Sequence, residues 1–425
     1  MPKKVIKIFF IIILIFTLSA FPVFADDANE IEEVVIEENE KKEIEAGATS
    51  NTKPTINSRR YAVYDRLSGR CIYGKDENKQ TAMASTTKIM SSIIVVENCN
   101  LSDEVTITAK AAGTGGSRLG LHTDDKITVI DLLYGLMLRS GNDAAVALAI
   151  HTSGSVEEFA KLMNQKAEEL GLKDTHFVTP HGLDNPNHYT TAYELAKITD
   201  YALKNETIAK IVKTKTATIN INGSPMQINN TNELLGNVEG VYGVKTGFTN
   251  NAGRCLVTSV KRGDMDLIIV VLGADTRKDR AKDSMKLIEY AYKRFYTVNV
   301  EEMVCKEFAM WKQINQNRIY VDKAANSLEL KLDEIPIKQL AADCEPTIEI
   351  NAVSFLEAPV LENERIGTIT VKVGDELIEE IEIKAEKEVK KRGILDYFGL
   401  IAKIYSGTIK IMEKTTWHFS NYLVW

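Results

Sequence analysis

Ser85 and Lys88 stand three residues apart in Ala84-Ser85-Thr86-Thr87-Lys88-Ile89-Met90, at the head of an apolar run. On a helix, positions i and i+3 share a face, so the hydroxyl and the amine meet. A serine at neutral pH is a poor nucleophile until a neighbouring base takes its proton. A lysine can be that base when burial or a second cation disfavours its charge. The spacing alone says little, because Ser50-Asn51-Thr52-Lys53 has it too, in a polar stretch ahead of Pro54. Its ordinary reading is a capping serine beside a surface lysine. Two further motifs change the weight. Ser140-Gly141-Asn142 puts a hydroxyl and a carboxamide on a loop between helices, and Lys245-Thr246-Gly247 puts an ammonium and a hydroxyl on a strand. Gly247 would let the backbone come close to a ligand. Each motif alone reads as a cap or a turn; together, in this order, they point to one cleft. Lys88 and Lys245 converging there would disfavour each other's charge, which is expected to hold Lys88 neutral at rest.

The elements that must position these residues follow from periodicity. Ile89, Met90, Ile93, Ile94, Val95 and Val96 predict a buried helix carrying Ser85 and Lys88. Short strands at 61–64 and 71–73 flank a turn at Ser68-Gly69. The Gly-rich loop 113–120 matches neither a phosphate loop nor a dinucleotide fingerprint, and Leu119 spoils a Gly-x-Ser-x-Gly elbow. Thr128 and Asp131 form a capping box for a helix ending at Leu138. Helices are expected at 144–150, at 157–170 with Gly171 beyond its end, and at 194–203. An extended segment at 240–248 precedes a hairpin of 255–260 and 267–272, and a helix at 280–295 closes the unit. This is an α+β domain with an antiparallel sheet, residues 59–296. Residues 297–385 alternate with period two and predict a small all-β sandwich domain.

At 425 residues, with 44% hydrophobic and 26% charged content, the chain can bury more than one core. A net charge of −7 and the lack of a basic stripe with aromatics argue against nucleic acid as a partner. Lys3, Lys4 and Lys7 beside the apolar 8–18 stretch, ending at Val23-Phe24-Ala25, read as a signal peptide, residues 1–25; an uncleaved anchor is the alternative. Either way the remainder works outside the cytoplasm. Residues 26–58 read as an acidic, disordered spacer. Five scattered cysteines, mostly expected in cores, suggest neither a zinc site nor a disulfide framework, though one bridge is possible. Six histidines without His-Glu-x-x-His argue against metal hydrolysis, and no cofactor is expected. Residues 386–425 turn helical again. Ile394, Leu395, Phe398, Ile401, Ile404, Tyr405, Ile409, Ile411 and Met412 oppose a polar stripe of Asp396, Lys403, Lys410 and Lys414. With Trp417 and Trp425 they suggest an amphipathic helix on a membrane surface, the alternative being a helix packed on the β domain.

The three motifs resemble those of the penicillin-interacting serine acyltransferases, with Ser-Gly-Asn where Ser-Asp-Asn is common. The chain is more closely similar to the low-molecular-mass penicillin-binding proteins that are serine-type D-Ala-D-Ala carboxypeptidases. The likeness runs from about Arg60 to Glu386 and takes in Leu170-Gly171-Leu172, His181-Gly182-Leu183-Asp184 and Gly273-Ala274-Asp275-Thr276-Arg277. It implies a penicillin-binding, β-lactamase-like transpeptidase fold followed by the β domain and a C-terminal anchor helix. It also implies that Ser85 attacks the carbonyl between two terminal D-alanines of a peptidoglycan stem peptide while Lys88 takes its proton. Ser140 would relay a proton to the leaving amine, and Asn142 would hydrogen-bond the substrate backbone. Lys245 and Thr246 would fix the terminal carboxylate, and Gly247 would allow close approach. The backbone N–H groups of Ser85 and Phe248 would form an oxyanion hole worth about 3–4 kcal/mol per donor. Some relatives carry histidine in place of Phe248, which bears on fine specificity. Arg277 would assist carboxylate recognition, or else make an ion pair on the closing helix. Penicillins would acylate the same serine, and the enzyme would sit on the outer face of the cytoplasmic membrane. Alternatives on this site are a DD-endopeptidase, a weak β-lactamase and a non-catalytic penicillin-sensing or wall-binding module. For the lactamase, Glu194 and Glu233 are only near misses to a deacylating glutamate.

Overall fold

Five antiparallel strands frame the first unit: β1 (Arg60–Asp65), β2 (Arg70–Lys75), β3 (Val241–Thr249), β4 (Gly253–Arg262) and β5 (Met265–Ala274), in the order β2-β1-β5-β4-β3. The structure is a computed structural model that describes residues 37–49 and 51–406. The expected signal peptide, the start of the spacer and the end of the C-terminal helix lie outside the described residues. The opening strand pairs with the closing hairpin, Ala62 facing Val270, so the two ends of the unit meet in one sheet. β3, which carries Lys245-Thr246-Gly247, stands at the edge.

The middle of β5, Leu267 to Leu272, is apolar without interruption because both its faces are covered: Leu267 through Val271 are each 0% exposed. Ala62, Ile268 and Val270 join the helical core, and the Arg277–Arg294 helix packs on β4 and β5. The centre of that core is the Lys88–Asn98 helix, in which every residue from Lys88 to Val95 is buried. It packs against the helices Val129–Leu138, Asn142–Ser153, Val156–Glu169 and Ala192–Leu203. Each buried Ile or Val there contributes about 1.5–3 kcal/mol of apolar burial. The Thr128 hydroxyl accepts from the Asp131 N–H at the start of its helix, as the capping pattern requires. Gly171 follows the Val156–Glu169 helix in the left-handed region, φ +66°.

Other features of the first unit were not anticipated. The Glu206–Lys213 helix precedes a hairpin of Thr216–Ile221 and Ser224–Asn229. Its turn, Asn222-Gly223, has both φ positive (52° and 76°), the geometry that an Asn-Gly dipeptide favours in two-residue hairpins. Within the expected disordered spacer, Glu38–Gly47 is a helix. Glu40 on it pairs with Lys278 at 2.7 Å and Lys282 at 3.0 Å. That helix buries no side chain, and besides these pairs Lys293 donates to the Glu45 and Ala48 carbonyls at its end.

The chain divides between Phe295 and Tyr296. The second unit contains a four-stranded antiparallel sheet in the order Leu330–Leu332, Glu376–Ala385, Arg365–Val373, Thr347–Ala352. Ile369, Val371, Ile381 and Ile383 form its core with Val304 and Phe308. The last two lie on a helix, Val300–Asn315, whose buried Val300, Val304 and Phe308 are spaced by four. The period-two alternation further along gave no sign of it. Residues 394–406 are helical. Cys255 is buried in the core, Cys71 and Cys99 pack partly buried against it, and Cys305 and Cys344 are exposed, so the expectation of core thiols holds for the first three.

Candidate active site

Ser85 lies in a 3-10 turn, Ala84–Thr87, and Lys88 is the first residue of the α-helix that follows. The pair therefore straddles a helix junction rather than sharing one α-helix. The tighter 3-10 winding brings residues three apart nearly into register. Lys88 Nζ lies 2.8 Å from Ser85 Oγ, 2.7 Å from Asn142 Oδ1 and 3.1 Å from the His181 carbonyl oxygen. Lys88 is wholly buried, while Ser85 is half-buried and so reachable from outside.

Asn142 opens its own helix, where its backbone N–H donates to Ser117 O and its Nδ2 donates to Gly115 O at 2.8 Å. The second bond settles the orientation of the amide, leaving Oδ1 toward Lys88. The Gly-rich loop, assigned no chemistry from sequence, thus holds the carboxamide in place. Gly116 is needed there because a Cβ would come 2.5 Å from Asn142 Nδ2. The loop is itself held by Asp143, a fully buried carboxylate that accepts from the backbone N–H groups of Leu119, Gly120 and Leu121.

Edge strand β3 passes directly beside the Ala84–Thr87 turn. A Cβ on Gly247 would stand 3.0 Å from Ser85 N and 3.2 Å from Thr86 N, so glycine permits that approach. Lys245 is buried and donates to Thr246 O at 3.0 Å. Thr246 Oγ1 is 2.7 Å from Thr231 Oγ1, and Thr231 N donates to Leu138 O, which ties β3 to the end of the helix before Ser140. Ser140 is nearly buried, with φ 59° on the loop between two helices. Phe248 follows Gly247, and the Arg254 guanidinium stacks 3.7 Å from its ring centre. Arg277 opens the Arg277–Arg294 helix after β5.

His181 and His188 belong to the site without having been given roles from sequence. Burial pushes the His181 imidazole down to about 3, with Lys88 and His188 adding to the shift. Burial pushes His188 down to about 4, with a smaller push from His176. Both rings fold neutral, whereas an unfolded histidine protonates near pH 6.5. The stability they contribute is therefore complete above about pH 6.5 and is lost as pH falls toward those folded values. Between pH 7.5 and pH 5.5 each should cost about 1.4 kcal/mol, read as a lower urea midpoint. A midpoint unchanged over that interval would contradict the assignment.

A family model described as D-alanyl-D-alanine carboxypeptidase matches residues 47–276, spanning all three motifs. The chain belongs to the D-alanyl-D-alanine carboxypeptidase family. A second model, penicillin-binding protein 5 C-terminal domain, matches residues 339–391. The chain is 35% identical to the D-alanyl-D-alanine carboxypeptidase DacF of Bacillus subtilis, with 79% of this chain and 86% of the relative covered. It is 33% identical to DacA of Escherichia coli, over 82% and 88%. Among solved structures, penicillin binding protein 5 of Haemophilus influenzae covers 80% of this chain and 99% of its own at 28% identity and a TM-score of 0.65. The Streptomyces K15 DD-transpeptidase covers 57% and 99% at 37% identity and a TM-score of 0.55.

Proposed function

We propose that the chain is a serine-type D-Ala-D-Ala carboxypeptidase that removes the terminal D-alanine from peptidoglycan stem peptides through an acyl-enzyme on Ser85. One observation carries the reading: Lys88 Nζ faces Ser85 Oγ while two other neighbours, Asn142 Oδ1 and His181 O, can only accept hydrogen bonds. A neutral amine has two N–H donors and one lone pair. With the donors on those two oxygens, the lone pair is left toward the Ser85 hydroxyl, the arrangement a general base needs. Ser85 Oγ then attacks the carbonyl between the two D-alanines, and its proton passes to Lys88. The oxyanion is stabilised by the backbone N–H groups of Ser85 and Phe248, which the close approach at Gly247 supports. Collapse of the intermediate breaks the C–N bond, and the proton reaches the leaving amine through Lys88 and Ser140. Lys245, Thr246 and Arg277 hold the terminal carboxylate. Asn142 Oδ1 is committed to Lys88, so its bond to the substrate backbone comes from Nδ2. Water then hydrolyses the ester. A β-lactam ring acylates the same serine.

Fast β-lactam hydrolysis finds less support. The Glu194 carboxylate accepts from the Lys173 and Asp174 N–H groups and the Thr175 hydroxyl. Glu233 is clamped by Arg280 at 2.7 Å. Both carboxylates are committed to these bonds. Release of D-alanine from a stem pentapeptide, lost in Ser85→Ala, tests the enzyme against a pure binder, and negligible nitrocefin turnover tests it against a lactamase.

Export and peripheral membrane attachment belong to the same proposal. Among the described residues no helix is long and apolar enough to cross a membrane. The 394–406 helix exposes Leu395, Phe398, Ile401 and Ile404, each more than half accessible. That suits an amphipathic helix lying in a lipid interface. Phe398→Glu with Ile401→Glu should lower binding of the full chain to lipid vesicles about 10-fold or more in a flotation assay. Unchanged flotation would remove this helix from the account.

A further inference from the structure

Ala84, immediately before the nucleophile, has φ 48° although it is not glycine, and it is almost wholly buried. A side chain in the left-handed region costs on the order of 1 kcal/mol, so the surroundings must hold the turn there. Two contacts bear on its carbonyl. Gly182, at φ 86°, lies so close that a Cβ would stand 1.9 Å from Ala84 O. The Thr87 hydroxyl donates to the same oxygen at 2.8 Å.

Thr87 is in turn held by His188, whose Nε2 lies 2.8 Å from Thr87 Oγ1. The direction of the chain of bonds is fixed at its far end. Val178 N–H donates to His188 Nδ1 at 3.0 Å, so Nδ1 is unprotonated and Nε2 carries the hydrogen. His188 Nε2–H therefore donates to Thr87 Oγ1, and Thr87 O–H donates to Ala84 O. The ring is 3% exposed and meets Phe177 edge-on at 5.7 Å, which locks its orientation. Neither Thr87 nor His188 is among the groups assigned to the substrate.

We propose that His188, acting through Thr87, is a positioning residue that holds the Ala84–Thr87 turn so that Ser85 Oγ meets Lys88. This rests on Ser85 being the nucleophile. A displacement of about 1 Å at a reacting atom can lower a rate about 100-fold.

The test measures acylation of the full chain by a fluorescent penicillin, with folding followed separately by thermal unfolding. Thr87→Val and His188→Phe keep volume but remove the bonds. Each should slow acylation about 10- to 100-fold at a temperature where the variant is folded, and should leave affinity before acylation within about threefold. The double variant should be no slower than the worse single one, because both break one chain of bonds. Thr87→Ser and His188→Gln, which restore a hydroxyl and an N–H donor, should recover most of the rate. Wild-type acylation in folded Thr87→Val, or losses that multiply in the double variant, would overturn the proposal. If instead Ser85→Ala still becomes acylated, the parent reading fails, whatever the His188 variants do.

Discussion

Lys88→Met is expected to slow acylation of Ser85 by penicillin about 10²- to 10⁴-fold, the range a positioned general base supplies. Methionine nearly fills the lysine volume, so the loss falls mainly on proton transfer. It leaves Asn142 Oδ1 and the His181 carbonyl without the donor they now have, and some stability should go as well, about 1–3 kcal/mol. The two effects separate on the pH axis. The wild-type acylation rate should vary between about pH 6 and pH 10 as the base titrates, and Lys88→Met should abolish that variation. A profile flat in both proteins would count against Lys88 as the base, however slow the variant.

Asp143→Ala should be the most damaging single change outside the reacting groups. Its carboxylate, at 0% exposure, accepts from Leu119 N at 2.8 Å, Gly120 N at 2.8 Å and Leu121 N at 3.0 Å. Hydrogen bonds to a charged group contribute about 1.5–3 kcal/mol each, and the N–H groups left behind would be desolvated without partners. The expected loss is about 3–5 kcal/mol in urea unfolding, with Asp143→Asn losing less because one acceptor oxygen remains. Since the same loop supplies Gly115 O and Ser117 O to Asn142, acylation should slow even where Asp143→Asn is fully folded. A loss below about 1 kcal/mol in Asp143→Ala would show that the loop is held by something else.

The motifs proposed to react were legible because their signals are local. Three residues of spacing brought Ser85 and Lys88 together across the junction of the 3-10 turn and the α-helix, as they would have within one α-helix. A strand pattern followed by a hairpin put Lys245-Thr246-Gly247 on a sheet, though not visibly on its edge. What holds those groups was not legible. His188 reaches Thr87 across 101 residues and Thr231 reaches Thr246 across 15, and no periodicity encodes either contact. The Glu38–Gly47 helix has no apolar face to announce it, and its partners Lys278 and Lys282 are more than 230 positions away. The 216–229 hairpin is different: Asn222-Gly223 between two alternating runs was a readable sign that went unused.

The account stands on Ser85 as the atom that becomes acylated. Incubating the full chain with penicillin, digesting it and locating the adduct by mass spectrometry tests this most directly. The expected result is a single penicilloyl group on the peptide containing Ser85, absent from Ser85→Ala. An adduct on any other residue, or undiminished labelling of Ser85→Ala, would contradict it.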